Sequence, residues 1–95
     1  MKKVSNKEEK IKIKVSSSSS VKKVAGCIIK SYEENKEIEI STIGASSLNQ
    51  AIKACTIARK FLAEQGRDLY LATGFKTLKV NEEEITAIVI IIKIS

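Results

Sequence analysis

The 95-residue sequence contains no histidine, no proline and no tryptophan, and only 4% of its residues are aromatic. The aromatic residues are Tyr32, Phe61, Tyr70 and Phe75. Without histidine, neither cysteine has an evident base beside it, and the carboxylates do not fall within apolar segments that would form a pocket. No catalytic residue is therefore predicted. We expect a protein that is not an enzyme and that uses no metal, no cofactor and no small-molecule substrate.

Long apolar runs are also missing. The longest, Ala87 to Ile92, is far shorter than the roughly 20 residues of a membrane-spanning helix. No apolar stretch follows the N-terminal lysines, so a secretory signal is not indicated. Cys27 and Cys55 lie inside helical patterns without metal-ligand spacing, which favours free buried thiols over a disulfide. We therefore expect a cytoplasmic protein that does not contact a membrane.

Positive charge is concentrated at the N-terminus. The net charge is +6, of which residues 1–14 supply +4. We expect residues 1–10 to form a flexible basic tail and residues 11–95 to form a single domain. A basic arm adds non-specific affinity for nucleic acid, but a charge run also serves plain solvation, and the sequence leaves both interpretations open.

Hydrophobic periodicity switches between strand and helix along the chain. Residues 11–16 and 37–43 alternate apolar and polar side chains, which predicts two half-buried strands. Between them, residues 21–32 carry an apolar helical stripe, and one serine of the run Ser16–Ser20 is positioned as its N-cap. Gly26 costs this helix roughly 1 kcal/mol relative to alanine, so we expect it to mark close packing of the helix on the other helix or on the sheet.

The second half of the chain predicts a helix and a hairpin. The helix covers residues 46–64, with Ser46 or Ser47 as its N-cap and Gly66 placed to stop it. The segment DLYLATGFKTLKV then predicts a strand, NEEE a turn and ITAIVIIIKI a returning strand. The order β-α-β-α-β-β predicts an α+β two-layer sandwich, with two helices on one face of a four-stranded mixed sheet.

This topology brings two loops together. Ser16–Ser20 and Gly44–Ser47 follow parallel strands, so both helix N-termini should lie at one edge and offer unpaired N–H groups. Lys22, Lys23 and Lys53 lie near those helix starts, where cations oppose the helix dipole and a phosphate would compensate them. The loop at Gly44 lacks the Gly-Lys-Ser/Thr signature of a nucleotide-binding P-loop.

The segment IGASSLNQAIKACTIAR, residues 43–59, carries a specific motif, IGA-x-x-LNQA-x-KA-x-x-IAR. With VAGCIIKSYEE before it and NEEEITAI after it, the chain resembles the stage V sporulation protein S family over roughly residues 11–94. The resemblance implies an Alba-like fold, the fold of small dimeric chromatin and RNA-binding proteins. It also implies a role in bacterial sporulation and regulation, with nucleic-acid binding of low sequence specificity as the biochemistry.

In Alba-like domains the loops before the two helices line the nucleic-acid face. By position these loops correspond to residues 18–23 and 44–50, and Lys53 is added because it lies near the second helix start. The candidate nucleic-acid-binding residues are therefore Ser18, Ser19, Ser20, Lys22, Lys23, Ser46, Ser47, Asn49, Gln50 and Lys53. Asn49 and Gln50 have a second interpretation, in which they satisfy backbone groups or bridge to a neighbouring loop. Alba proteins usually carry a basic residue in the second loop, and here it is replaced by small residues.

The hairpin also departs from the Alba pattern. It ends in Glu82, Glu83 and Glu84, whose carboxylates should repel phosphate, so the hairpin is not expected to insert into a minor groove.

The last strand and the second helix suggest self-association. In the last strand, residues 88, 90, 92 and 94 are isoleucines on one face, and Ala87, Val89 and Ile91 make the other face apolar too. With helices on one face only, the second face should need cover from another chain, which predicts a homodimer or larger homo-oligomer. A further strip on the second helix packs either on the first helix or on a partner; it consists of Ala54, Ile57 and Phe61. The alternative function is a self-assembling or protein-interaction module without direct nucleic-acid binding.

Overall fold

The computed structural model describes residues 10–34 and 36–95. Its elements are β1 (Lys10–Val15), α1 (Val21–Glu33), β2 (Glu37–Thr42), α2 (Ala45–Ala63), β3 (Leu69–Val80) and β4 (Glu83–Ile94). The order and the two-layer α+β architecture predicted from the sequence are confirmed. The predicted tail lies outside the described residues except for Lys10, with which β1 begins.

The four strands form one mixed sheet in the order β1-β2-β4-β3. Strands β1 and β2 are parallel, and β4 is antiparallel to both β2 and β3. The chain direction of β3 is therefore the same as that of β1 and β2. Three strands consequently end at the same end of the sheet.

The core lies between the two helices and one face of the sheet, as alternation in the strands requires. From the sheet, Ile38, Ile40 and Ile90 are almost completely buried. From α2, Ala51 and Ala58 have no exposed surface, and small side chains there let the helix pack close to its neighbours. The opposite face of the sheet, termed the open face, carries the alternate residues, and neither α1 nor α2 packs on it.

The two helices begin differently. Ser20 is the N-cap of α1 and accepts a hydrogen bond from the backbone N–H of Lys23 at 3.3 Å, which confirms the predicted serine cap. The prediction for α2 is wrong, because Gly44 is its N-cap. Gly44 has φ of 90°, a conformation that a residue with a β-carbon rarely adopts, so the helix starts earlier than the serines suggested. Ser47 instead donates from its buried hydroxyl to the carbonyl of Ile43 at 2.6 Å.

The β3–β4 hairpin is long and tightly turned. Val80 is paired with Glu83, so the turn consists of Asn81 and Glu82 alone, both with positive φ, as in a type I′ turn. The predicted turn at NEEE is therefore wrong in length, because its last two glutamates belong to β4. The end of β2 pairs with Ile88, so the part of the hairpin nearer the turn extends beyond β2.

Other expectations need correction. Gly26 is exposed, and a β-carbon built there would have no heavy atom within 4 Å, so the predicted close contact is wrong. Both thiols are free, but only Cys55 is buried, whereas Cys27 is exposed on α1. In the apolar strip on α2, Ala54 is buried while Ile57 and Phe61 each remain 41% exposed.

Candidate nucleic-acid interface

Both strand-to-helix loops and the hairpin turn lie at one end of the sheet. This follows from the shared direction of β1, β2 and β3. The end is termed the loop end and comprises residues 16–20, 43–44 and 76–87. Because α1 and α2 both begin there, their unpaired backbone N–H groups and the positive ends of their dipoles are at the loop end.

A cleft of about 420 Å³ separates the two loops. It is lined mainly by small polar residues and by the start of α2: Lys14, Val15, Ser16, Ser17, Ser41, Ile43, Gly44, Ala45, Ser46 and Ser47. Among these lining residues, Lys14 supplies the only side-chain charge. A cleft with hydroxyls, backbone donors and one ammonium has the donor chemistry to bind an anion, and its lining offers no carboxylate to oppose it.

The first loop is a compact turn held by its own serines. The backbone N–H of Ser16 donates to Oγ of Ser19 at 2.9 Å, and the backbone N–H of Ser18 donates to Oγ of Ser16 at 3.3 Å. The backbone N–H of Ser19 also donates to the carbonyl of Ser16 at 3.1 Å. The serine run is thus shaped by local side-chain-to-backbone bonds, as expected for serine in turns.

The sequence-predicted residues of α2 divide into two groups. Gln50 donates from Nε2 to the carbonyl of Ser19 at 3.0 Å, which is the bridging role that the sequence left open for it. Ser46, Asn49 and Lys53 are exposed, and their spacing of three and four residues sets them on one outer stripe of α2. The Ser47 hydroxyl is engaged inside the fold, so only its backbone remains available to a ligand.

Lysines supply positive charge beside the two strand-to-helix loops of the loop end. Lys22 and Lys23 are exposed in the first turn of α1, and Lys14 is exposed beside the cleft. Among the described residues the ion pairs are Lys10–Glu39, Lys36–Glu34 and Arg59–Asp68, so none of these three lysines is neutralised by a carboxylate. The sequence patterns did not lead us to select Lys14, although it is the last outward residue of β1 before the loop and the alternation could have identified it.

Within residues 10–34 and 36–95, no three metal-ligating side chains come together as a candidate ion site. The same part of the chain has no helix that combines the length and the apolar character needed to cross a bilayer.

Comparison with known proteins identifies the fold and the family. The solved structure of Alba from Thermoplasma volcanium superposes with a TM-score of 0.61, at 18% sequence identity, over 90% of this chain and 99% of the Alba chain. That likeness establishes the Alba-like fold. Residues 11–95, which include every described element apart from Lys10, match the family described as Stage V sporulation protein S (SpoVS). The chain belongs to the stage V sporulation protein S family.

Proposed function

We propose that this protein binds the phosphate backbone of DNA or RNA with low sequence specificity and acts as a regulator in sporulation or development. The observation that carries the proposal is the convergence at the loop end of two helix N-termini, a polar cleft and lysines without carboxylate partners among the described residues. Membership of a sporulation family supports the biological setting, and the Alba-like fold supports the mode of binding.

Phosphate oxygens would accept hydrogen bonds from backbone N–H groups at the helix starts and from exposed hydroxyls such as that of Ser46. Lys22 and Lys23 on α1 and Lys53 on α2 would add charge around these donors. Low specificity follows from this chemistry, because phosphate contacts position a protein on nucleic acid without reading its bases.

Stacking of unpaired bases is a weaker alternative. The two most exposed aromatic side chains, Phe75 and Tyr70, are 81% and 57% exposed. They are separated by five positions on β3, and since successive side chains alternate they lie on opposite faces of the sheet. They cannot form one stacking platform of the kind that single-strand-binding proteins use.

The test is fluorescence anisotropy of the full chain with duplex DNA, single-stranded DNA and RNA across about 50 to 200 mM salt. We expect affinity to fall as salt rises, and a Lys22→Gln/Lys23→Gln variant to bind more weakly with a shallower salt dependence. A Lys30→Gln/Lys60→Gln variant makes the same charge change in the last turns of the helices, away from the loop end, and is the matched control. No binding of any of the three nucleic acids at the lowest salt would refute the proposal.

We also propose that the protein is a homodimer or larger homo-oligomer, which associates through a different surface from the one that the sequence predicts. On β4, Ala87 and Val89 are already buried within one chain, so the open face of that strand supplies little apolar surface. The exposed apolar surface is at the other side of the sheet, where Phe75 and Leu71 of β3 face the helix layer but are not covered by it.

The position of α2 extends this apolar surface. Arg59 on α2 bonds Asp68 just before β3, so that flank of the helix faces β3. Ile52 is two helical turns before Arg59, about 10 Å along the helix, and Leu71 is three residues after Asp68, about 10 Å along the strand. Ile52, which is 39% exposed, is therefore level with Leu71 on the flank facing β3.

Sedimentation velocity of the full chain tests the oligomer. We expect Phe75→Ser to shift the protein toward the monomer, whereas Phe61→Ser, on the other flank of α2, should leave the assembly intact. If wild type and both variants sediment as monomers, the homo-oligomer is refuted. Assembly without any salt-dependent nucleic-acid binding would favour the alternative function, a self-assembling or protein-interaction module.

A further inference from the structure

The open face of the sheet carries a row of lysines along its β1 edge. Lys10, Lys12 and Lys14 alternate with the inward-facing Ile11, Ile13 and Val15, so all three lysines emerge on the side without helices. Alternate residues of a strand are about 6.6 Å apart. The row therefore presents an ammonium group at every second residue, directed away from the core.

Within the described part of this face, a carboxylate forms an ion pair only with Lys10, the lysine of the row that is farthest from the loop end. Glu39, beside Lys12 in the register, bonds Lys10 at 3.4 Å. Lys12 and Lys14 have no ion pair among the described residues. The partner of Lys14 on β2 is Ser41, so Lys14 has no carboxylate beside it on β2, whereas Glu39 lies beside Lys12.

The row of lysines reaches the loop end at Lys14. Lys14 lines the cleft between the two loops and is also a member of the row, so it joins the two surfaces. Beside it, the floor of the open face is made of small side chains, since Ser41 is level with Val89 on β4 and Val89 is level with Gly74 on β3. At the level of Lys14, nothing bulky on this floor would prevent a polyanion at the cleft from passing onto the open face. At the level of Lys12 the floor carries Glu39 and the half-buried Ile91.

The hairpin turn is a less favourable binding surface for the same polyanion than the β1 edge. Glu82 lies in the turn and Glu83 and Glu84 follow it, so a phosphate there would meet three carboxylates. Lys79, paired with Glu84, is the only lysine among the last three residues of β3. The charge distribution thus favours the β1 edge over the hairpin turn.

We infer that the nucleic-acid surface continues from the loop end onto the open face of the sheet, where Lys12 and Lys14 bind successive phosphates of the backbone. The inference rests on the proposed nucleic-acid binding and adds a second face to it. Each lysine that contacts a phosphate of duplex DNA contributes about 0.9 to the slope of log affinity against log salt. If both contacts are removed, the loss of affinity between 50 and 200 mM salt should be about tenfold smaller than in the wild type.

The experiment compares a Lys12→Gln/Lys14→Gln variant with wild type and with the Lys30→Gln/Lys60→Gln control, all as full chains binding one duplex of about 20 base pairs. All the substituted lysines are exposed, and thermal unfolding confirms that each variant is folded. We expect the Lys12/Lys14 variant to lose about 2 from the salt slope, with equal weakening on unrelated sequences, while the control keeps the wild-type slope.

A Lys12/Lys14 slope equal to that of the control would overturn the inference. The lysines would then serve to keep an exposed edge strand from pairing with other chains. If that result came with a reduced slope in the Lys22→Gln/Lys23→Gln variant, the proposed function would stand without its extension to the open face. Failure of the wild type to bind at all would overturn both.

Discussion

Gln50 on α2 donates a hydrogen bond from Nε2 to the backbone carbonyl of Ser19, 3.0 Å away and 31 positions earlier in the chain. This bond ties the second helix to the loop that precedes the first helix. The two helix N-termini are consequently fixed relative to each other by a side chain of the family motif. Gln50 therefore acts by positioning the first loop.

Replacing Gln50 should cost stability. In Gln50→Ala the part-buried carbonyl of Ser19 loses its partner, which we expect to lower the free energy of unfolding by about 1 kcal/mol. Asn49→Ala, one residue earlier on the exposed stripe, should change it by less than about 0.5 kcal/mol. Urea unfolding of both variants measures the difference, and equal effects would show that the bond to Ser19 contributes nothing.

Gly26→Ala should stabilise the protein. Gly26 lies within α1, is exposed, and has free space where a β-carbon would lie, so alanine gains helix propensity without a clash. We expect a gain of about 0.5 to 1 kcal/mol and a rise of several degrees in the thermal midpoint. The opposite change is expected for Gly44→Ala, because φ of 90° strains any side chain at that cap. A lower midpoint for Gly26→Ala would indicate that this position has a partner.

The two cysteines should differ sharply in reactivity. Burial raises the pKa of the Cys55 thiol to about 11, so its reactive thiolate is scarce at pH 8, whereas Cys27 is exposed. Labelling with a maleimide should modify one thiol in the folded protein and none in Cys27→Ser until denaturant is added. Rapid labelling of folded Cys27→Ser would contradict the packing of α2.

The Arg59–Asp68 pair should make stability depend on pH in the acid range. Hydrogen bonds from the Arg59 guanidinium and from the backbone N–H of Leu69 lower the pKa of the Asp68 carboxyl below its usual 3.8. Because the folded pKa is the lower one, the pair stabilises the fold above the unfolded pKa, and this contribution is lost as pH falls through the folded pKa.

Asp68→Asn should therefore reduce stability near neutral pH and lose less of it than wild type between about pH 5 and 2. Glu64→Gln removes an exposed carboxylate that has no ion pair among the described residues, and it is the control. Thermal midpoints at a series of pH values provide the comparison. Parallel profiles for wild type and Asp68→Asn would contradict a stabilising role for the pair.

The number, type and order of the helices and strands could be predicted from the residue pattern alone. Alternation in β1 and β2 and the apolar stripes of the helices indicate which side of each element is buried. This pattern lies within each segment, so it can be read without knowing the neighbouring elements. A serine cap within Ser16–Ser20 and a stop at Gly66, whose φ is 76°, were also predicted, because capping depends on a few neighbouring residues. The cap of α2 was not, because it is Gly44 and not a serine. The family could also be identified from the sequence, because its motif is a pattern of residue types.

Which residues of different elements come into contact depends on the folded sheet and not on local pattern. The sheet order β1-β2-β4-β3 puts Lys14 beside the second loop, Ser19 within reach of Gln50 and Phe75 outside the cover of the helices. Each of these relationships joins residues far apart in the chain, and periodicity carries no information about such partners. Strand pairing and register set these neighbours. A one-residue shift of a strand would move its apolar side chains from the core to the other face, so burial of the core face selects one register.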